Sequence, residues 1–206
     1  MSPEGNLNML AKKKKVAAMK YLGEAVLHQK AQPVAEINDD IRNLAQLMLE
    51  TMYHYDGVGL AAPQIGVSKR IVTLDVPPPR DPNAVLSPGE RELLSKMPLV
   101  LINPEIVSSS PVLEYYEEGC LSVPKLYAPV ERPVSVVLKA KLLDGPEILL
   151  DCGGFLARAI QHELDHLDGI VYVQKVKSPA FEEIQPQLKT IIKKYGARGY
   201  KLNRLV

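Results

Sequence analysis

Two histidines and a glutamate stand close together in the run His162-Glu163-Leu164-Asp165-His166. Residues four apart lie on one face of a helix, so both imidazoles can reach a single metal ion. Glu163, beside the first histidine, is placed to carry a proton between water and a leaving group. These residue types at this spacing predict a catalytic metal centre on a helix, with Glu163 as its acid and base.

A third ligand is needed, because catalytic sites of this kind use three protein ligands and leave one position open. In the extended zinc-protease pattern the third histidine falls where this chain has Tyr172, which argues against that class. Two candidates remain: Cys120, or a carboxylate at Glu182 or Glu183. Cys120 is the stronger candidate because it follows a predicted strand and a glycine, and because a thiolate binds soft divalent ions well.

The composition fits a single catalytic domain over residues 1–206. Apolar residues make up 46% of the chain and charged residues 24%, and no apolar run is long enough for a membrane-spanning helix. The formal net charge is +1, so no global field attracts DNA or another polyanion. We therefore expect a protein that acts without a membrane and without DNA.

The two cysteines, Cys120 and Cys152, are too few for a disulfide scaffold. Their scarcity predicts a reducing compartment and hence a cytoplasmic protein, with a disulfide between them as the alternative. The N-terminus carries the basic cluster Lys12–Lys15 but no pattern of a secretory signal. We expect residues 1–20 to be a flexible basic end.

The helix that carries the two histidines is predicted over Phe155–Leu167. Apolar residues recur at helical spacing from Asn38 to about His54, and again from about residue 179 to Tyr195, which predicts an N-terminal and a C-terminal helix. Five runs between the N-terminal helix and the helix with the histidines predict strands: the first is rich in isoleucine and valine, and Pro, Gly and Ser residues separate the others. These runs are Arg70–Val76, Leu99–Ile102, Val112–Glu117, Val134–Leu142 and Glu147–Leu150.

Residues 77–98 interrupt this pattern with many prolines and charges. Such a composition cannot build a packed strand, so it predicts a surface insertion with a short helix near Glu90–Ser95. Residues 179–206 are predicted to form the C-terminal helix and a tail rich in lysine and arginine.

Three short motifs occur in the order Gly57-Val58-Gly59-Leu60-Ala61-Ala62-Pro63-Gln64, Glu118-Gly119-Cys120-Leu121-Ser122 and Gln161-His162-Glu163-Leu164-Asp165-His166. In this order they resemble the three motifs of the peptide deformylases, and the likeness extends from about Pro33 to Val173. The resemblance implies a bacterial or organellar metal-dependent hydrolase that removes the formyl group from the N-terminal formyl-methionine of nascent polypeptides. It also implies an α+β fold, with mixed, mostly antiparallel β-sheets packed around a central H-E-x-x-H helix.

The same resemblance implies roles for single residues. Cys120, His162 and His166 are expected to hold one divalent ion, which would be ferrous iron in the cell, with zinc, nickel or cobalt as substitutes. Gln64 and the backbone N–H of Leu121 are expected to donate hydrogen bonds to the oxyanion that forms during hydrolysis.

The methionine side chain needs an apolar pocket beside the metal. Phe155 and Ala159 share the helix face of His162, and Val58 is expected to close the pocket from the loop side. Backbone groups at Gly59 are expected to pair with the extended peptide as an added strand.

The basic C-terminal region suits a contact with ribosomal RNA near emerging chains, with an ordinary solvated helix face as the alternative. Two other functions stay open from the residues themselves. One is a zinc endopeptidase, which would need Glu182 or Glu183 as its third ligand. The other is a non-catalytic, metal-stabilised binding protein, in which Glu163 would have no chemical role.

Overall fold

The computed structural model describes residues 16–206, so the basic cluster Lys12–Lys15 lies outside the described residues. Along this part of the chain, the helices are α1 (Asp39–His54), α2 (Pro88–Leu93), α3 (Gly154–Leu167) and α4 (Ala180–Tyr195). The strands are β1 (Gly59–Ala61), β2 (Ile71–Leu74), β3 (Leu99–Ser109), β4 (Leu113–Cys120), β5 (Val123–Pro133), β6 (Ser135–Leu142) and β7 (Glu147–Gly153).

The larger sheet has five strands in the order β1-β2-β3-β6-β7, and each neighbouring pair is antiparallel. Side chains alternate between the two faces of a sheet. Ile71 and Ile102 therefore pack with Met48 of α1, whereas Val72 and Leu101 belong to the cluster formed with α3. The sheet supports α3 from one side and α1 from the other.

The smaller sheet pairs β4 with β5. Leu126 and Val130 of β5 pack with Phe181 and Leu188 of α4. The central helix α3 contacts strands of both sheets. The predicted α+β fold, with mostly antiparallel sheets around a central helix and with an N-terminal and a C-terminal helix, is confirmed.

Strands β1 and β5 are not predicted from the sequence. Pro124, Pro129 and Pro133 lie within β5, and proline cannot donate a hydrogen bond to a neighbouring strand. The structure accommodates these prolines because, among the strands of residues 16–206, β5 pairs with β4 alone. Strand β3 also continues to Ser109, beyond its predicted end at Ile102.

Residues 16–20, predicted as part of a flexible end, are packed. The N–H of Ala17 donates to Thr51 Oγ1 at 3.0 Å, and Met19 is buried. The N–H of Lys20 donates to the carbonyl of Gln64 at 2.7 Å. These contacts tie Ala17, Met19 and Lys20 to the fold, while residues 1–15 of the predicted flexible end lie outside the described residues.

The segment 77–98, predicted as a surface insertion, is exposed mainly before α2. Within α2, Gly89, Glu90 and Leu93 are buried. Gly89 lies against Cys152 so closely that a Cβ at this position would collide with the thiol. Helix α2 is therefore packed on the fold through these three residues, while most other residues of the segment are exposed.

None of the helices within residues 16–206 combines the length and the apolar character that a membrane crossing requires.

Candidate metal centre

Helix α3 carries two of the candidate ligands on the side that faces away from the larger sheet. Its apolar positions Leu156, Ile160, Leu164 and Leu167 recur at helical spacing and are buried in the cluster shared with that sheet. The opposite face of the helix, with His162 and Glu163, lines a cleft of about 530 Å³ between the two sheets.

Cys120 is the last residue of β4 and comes directly before the turn that leads into β5. The structure brings it together with His162 and His166, so that one ligand atom of each lies within 4.8 Å of the others. The sulfur of Cys120 lies 3.2 Å from Nε2 of His166.

This cluster fits a divalent ion. Ligands about 2.0–2.3 Å from one tetrahedral ion lie about 3.5 Å from each other, which is close to the 3.2 Å between Cys120 and His166 and below the 4.8 Å limit that all three ligand atoms meet. Burial lowers the pKa of His166 well below its ordinary value, which favours the neutral imidazole that a metal binds. One thiolate and two imidazoles complete a set of three ligands and leave room for a fourth position in the cleft.

Glu118 orients His162. Its Oε2 lies 2.9 Å from Nδ1 of His162. An ionised carboxylate can only accept, so Nδ1 is the protonated nitrogen of the ring and Nε2 keeps its lone pair for a metal. Burial acts to raise the pKa of Glu118, but hydrogen bonds from His162 and Arg132 outweigh it and lower this pKa, so Glu118 is ionised.

Glu118 is itself held by two buried arginines. Arg132 donates to both of its oxygens, at 2.6 and 2.9 Å, and Arg158 donates to Oε1 at 3.0 Å. Arg132 also donates to Asp165 at 2.7 Å, and Lys175 donates to the other oxygen of Asp165 at 2.6 Å. The position of His162 is thus tied to a network of ion pairs that joins α3, β4 and β5.

Glu163 projects from α3 into the same cleft. It is 5% exposed, and within residues 16–206 its Oε2 has no hydrogen-bond partner. Burial raises the pKa of Glu163 to about 7, against the opposing charges of His162 and Arg132. A buried carboxyl group with one free oxygen and a pKa near neutrality is suited to accept and return a proton.

Gln64 lies in a short 3-10 helix that follows β1, and its amide is fully buried. Its Oε1 accepts the N–H of Ala61 at 2.8 Å, which turns its NH₂ group towards the metal cluster. This NH₂ group lies 3.4 Å from the sulfur of Cys120 and 3.3 Å from Oγ of Ser122. Gln64 therefore presents a donor to the cleft beside the third ligand.

The remaining predicted site residues also meet at the cleft. Val58, Gly59, Leu121, Phe155 and Ala159 line it together with the metal cluster. Gly59 lies against the Glu163 carboxylate so closely that a side chain there would collide with it, and a Cβ on Gly57 would meet the Leu121 side chain at 2.9 Å. All ten residues predicted for catalysis, metal binding and substrate binding are thus brought to one place.

The alternatives for the third ligand do not reach this cluster. Glu182 and Glu183 lie exposed on α4, where Glu182 accepts from Ser178 at 2.5 Å. The hydroxyl of Tyr172 donates to the carbonyl of Leu126 at 2.8 Å. Both cysteines are free thiols, so the disulfide alternative is wrong as well.

Sequence reasoning leaves several residues of the site without a role. Tyr116 and Arg158 line the cleft beside Phe155, and Ser122 approaches the Gln64 amide. The sequence could have identified Glu118 as a site residue, because it stands two residues before Cys120 and so lies on the same side of the strand. Arg132 offers no such signal, since β5 itself is hidden by its prolines.

Comparisons with known proteins agree with this site. A family model described as polypeptide deformylase matches residues 16–182. Peptide deformylase 2 of Gloeobacter violaceus is 46% identical over 171 residues, 83% of this chain and 83% of that protein. The peptide deformylase of Rhizobium meliloti is 41% identical over 178 residues, 86% of this chain and 95% of that protein. The solved structure of a peptide deformylase from Synechococcus elongatus in complex with actinonin matches with a TM-score of 0.70 at 39% identity, covering 88% of this chain and 87% of the other.

Proposed function

The chain belongs to the peptide deformylase family, and we propose that Cys120, His162 and His166 hold its divalent ion while Glu163 moves the protons of the reaction. The enzyme removes the formyl group from the N-terminal formyl-methionine of nascent polypeptides and releases formate. The observation that carries the residue assignment is the convergence of three ligand atoms within 4.8 Å, next to a buried carboxyl group with a free oxygen.

A divalent ion held by these residues would supply Lewis acidity, which would polarise a carbonyl group and lower the pKa of bound water towards neutrality. Glu163 accepts a proton from the attacking water. It then returns that proton to the amine of the departing methionine. Its burial beside Gly59 supports this role, because a carboxyl group with a pKa near neutrality can act in both directions.

Gln64 and the backbone N–H of Leu121 donate to the oxygen that becomes negative when the formyl carbon is attacked. Donors aimed at the developing charge lower the barrier more than they stabilise the substrate. The bond from the Ala61 N–H fixes the direction of the Gln64 amide in advance, so no reorganisation is needed at the moment of reaction.

The methionine side chain enters the apolar part of the cleft beside His162. Phe155, Ala159 and Val58 form its walls, and the free space next to Gly59 admits the extended peptide backbone. Val58 and Phe155 are each 40% exposed in the structure, as expected of apolar residues that bury themselves against a substrate. Main-chain pairing at Gly59 tolerates varied sequences after methionine.

We assign ferrous iron as the ion in the cell, with zinc, nickel or cobalt as substitutes. One thiolate and two imidazoles suit all four ions, so metal availability decides which is carried. The free thiols of Cys120 and Cys152 are consistent with a reducing compartment, and the proposed location is the bacterial cytoplasm. Metal analysis of anaerobically purified protein tests the assignment, and a stoichiometric content of zinc instead of iron would contradict it.

The basic C-terminal region is proposed to contact the ribosome. Lys189, Lys193, Lys201 and Arg198 are exposed on and after α4, where they can meet phosphate groups. Replacing Lys189 and Lys193 by glutamine is expected to weaken co-sedimentation with ribosomes. The matched control replaces Lys139 and Lys141, which are exposed on β6. Equal binding by both variants would contradict the contact.

The decisive experiment measures formate release from a formyl-Met-Ala peptide by iron-loaded protein and by its Glu163→Gln variant. We expect the variant to bind the metal as the wild type does and to lose activity by about 10²–10⁴-fold, the usual contribution of a positioned acid and base. The unformylated peptide and casein serve as controls. Digestion of casein without formate release would favour an endopeptidase, and a variant with full activity would remove Glu163 from the mechanism.

A further inference from the structure

Residues 20–24, called here the N-terminal segment, pass directly behind the two loops that carry the proposed oxyanion donors. The N–H of Lys20 donates to the carbonyl of Gln64 at 2.7 Å. The N–H of Leu22 donates to the carbonyl of Ser122 at 2.9 Å. The N-terminal segment therefore bonds to the backbone of Gln64 itself and to the residue that follows Leu121.

The same segment is held on its other side by the end of α4. The ring of Tyr21 stacks on the ring of Tyr195, with centroids 4.2 Å apart and an interplanar angle of 28°. The N–H of Ala197 donates to the carbonyl of Gly23 at 3.1 Å. A Cβ added at Gly23 would meet the Cα of Gly196 at 2.6 Å, so the two backbones touch.

The N-terminal segment is also braced internally. The N–H of Tyr21 donates to Glu24 Oε1 at 2.9 Å, and Lys20 forms an ion pair with the other oxygen of Glu24 at 3.0 Å. A braced segment transmits a displacement at one end to the other. The end of α4 is therefore connected to Gln64 and Ser122 through an unbroken series of contacts, which runs from Tyr195 to Tyr21 and along the N-terminal segment.

We propose that Tyr195 is a positioning residue for the reaction: by stacking on Tyr21 it holds the N-terminal segment, which fixes the backbone of the two oxyanion-donor loops. This inference rests on the proposed function of Gln64 and Leu121. Tyr195 does not line the cleft, whereas Tyr21 does. It also lies beyond residues 16–182, the part of the chain that the family model matches.

The physical reason is the geometric demand of an oxyanion site. Its donors act only when they lie at hydrogen-bond distance from the position that the charged oxygen takes, and misplacement by about 1 Å can cost up to about a hundredfold. Substrate binding through the methionine pocket depends on other residues, namely Phe155 and Ala159, and Tyr21, which also lines the cleft, is unchanged in the variants. Loss of the stack should therefore lower kcat and leave KM nearly unchanged.

The test compares Tyr195→Ala with Tyr195→Phe, which keeps the stacked ring, and with Leu188→Ala, which removes buried packing elsewhere on α4. For Tyr195→Ala we expect kcat to fall by about tenfold, which is less than the loss caused by removing an oxyanion donor altogether. The KM of this variant is expected to stay within about twofold of the wild-type value. Tyr195→Phe is expected to restore the wild-type kcat. Leu188→Ala is expected to lower the thermal midpoint without lowering kcat at 25 °C.

A second readout needs no substrate. Hydrogen exchange of the Lys20 and Leu22 amides is expected to accelerate in Tyr195→Ala and to match the wild type in Tyr195→Phe. Three results would overturn the proposal: wild-type kcat in Tyr195→Ala, an equal fall of kcat in Leu188→Ala, or unchanged exchange of both amides. Failure of the wild type to release formate would instead count against the proposed function, while the exchange experiment would still decide on the positioning contact.

Discussion

The two sides of the catalytic cleft are built from different interactions. The charged side consists of Glu118, Arg132, Arg158 and Asp165, which are joined by ion pairs of 2.6–3.0 Å behind His162. The other side, called here the oxyanion side after the donors proposed above, consists of Gln64, Leu121 and Ser122, together with the N-terminal segment. Its contacts around Gln64 and Ser122 are neutral hydrogen bonds, two of them between backbone groups, and its one ion pair, Lys20–Glu24, lies within the N-terminal segment.

This difference predicts two kinds of sensitivity. A buried ion pair contributes little net stability when complete, but removing one partner leaves an uncompensated charge and is costly. A neutral hydrogen bond contributes only about 0.5–1.5 kcal/mol, so its loss is tolerated by the fold. Mutations on the charged side should therefore act mainly on folding and metal affinity, and those on the oxyanion side mainly on the rate.

The largest effect is expected from Arg132→Met. This change leaves the carboxylates of Glu118 and Asp165 without their shared partner, in surroundings where Arg132 is 3% exposed. We expect the free energy of unfolding of the metal-loaded protein to fall by about 3–5 kcal/mol, as measured by urea denaturation.

Lys139→Met provides the control for this experiment. Lys139 forms an ion pair with Glu147 at 3.6 Å, but both side chains are exposed. Removing an exposed pair costs about 0–1 kcal/mol. Equal losses in the two variants would mean that the charged side of the cleft is no more sensitive than the surface, and the comparison would fail.

The next effect is expected from Gln64→Glu, which tests the oxyanion side. Glutamate keeps an oxygen that can accept the Ala61 N–H, but it removes the NH₂ donor that faces Cys120. We expect kcat to fall by about 10²–10³-fold, the range found when an oxyanion donor is lost. The measurement is steady-state formate release, together with metal content and a urea denaturation curve.

Ser122→Ala is the matched variant, because it removes the other contact of the same amide and leaves its NH₂ group in place. We expect at most about a tenfold fall in kcat, in line with one weak neutral hydrogen bond. If Gln64→Glu lowered the stability as strongly as Arg132→Met and left kcat unchanged, the division between the two sides would be wrong.

The sequence predicts the part of this site that depends on local patterns. His162, Glu163 and His166 are recognisable because the spacing of four within a helix brings them to one face, and the helix itself is evident from its apolar period. Cys120 is recognisable from its motif. The two elements that present these residues, α3 and β4, are both predicted close to their observed positions.

The parts that could not be predicted depend on contacts between distant segments. Arg132 reaches Glu118 and Asp165 only because β5 pairs with β4, and the prolines of β5 hide that strand. The N-terminal segment contacts Gln64, which lies more than forty residues further along the chain. Neither contact leaves a periodic signal in the sequence, so only the packed structure reveals what supports each side of the cleft.

The smallest of the three main effects is expected from Glu118→Gln, which separates orientation from charge on the charged side. Glutamine keeps an oxygen that can accept Nδ1–H of His162, but it lacks the negative charge that strengthens this bond and raises the basicity of the ring. We expect the metal affinity to fall by about 10–100-fold, measured by competition with a chelator on zinc-loaded protein.

Glu117→Gln is the control, since Glu117 is the exposed neighbour of Glu118 on β4. A loss of stability without a loss of metal affinity would show that Glu118 acts only as a partner of Arg132 and Arg158. A loss of affinity that Glu117→Gln does not share would establish that the charged side of the cleft acts on the metal through His162.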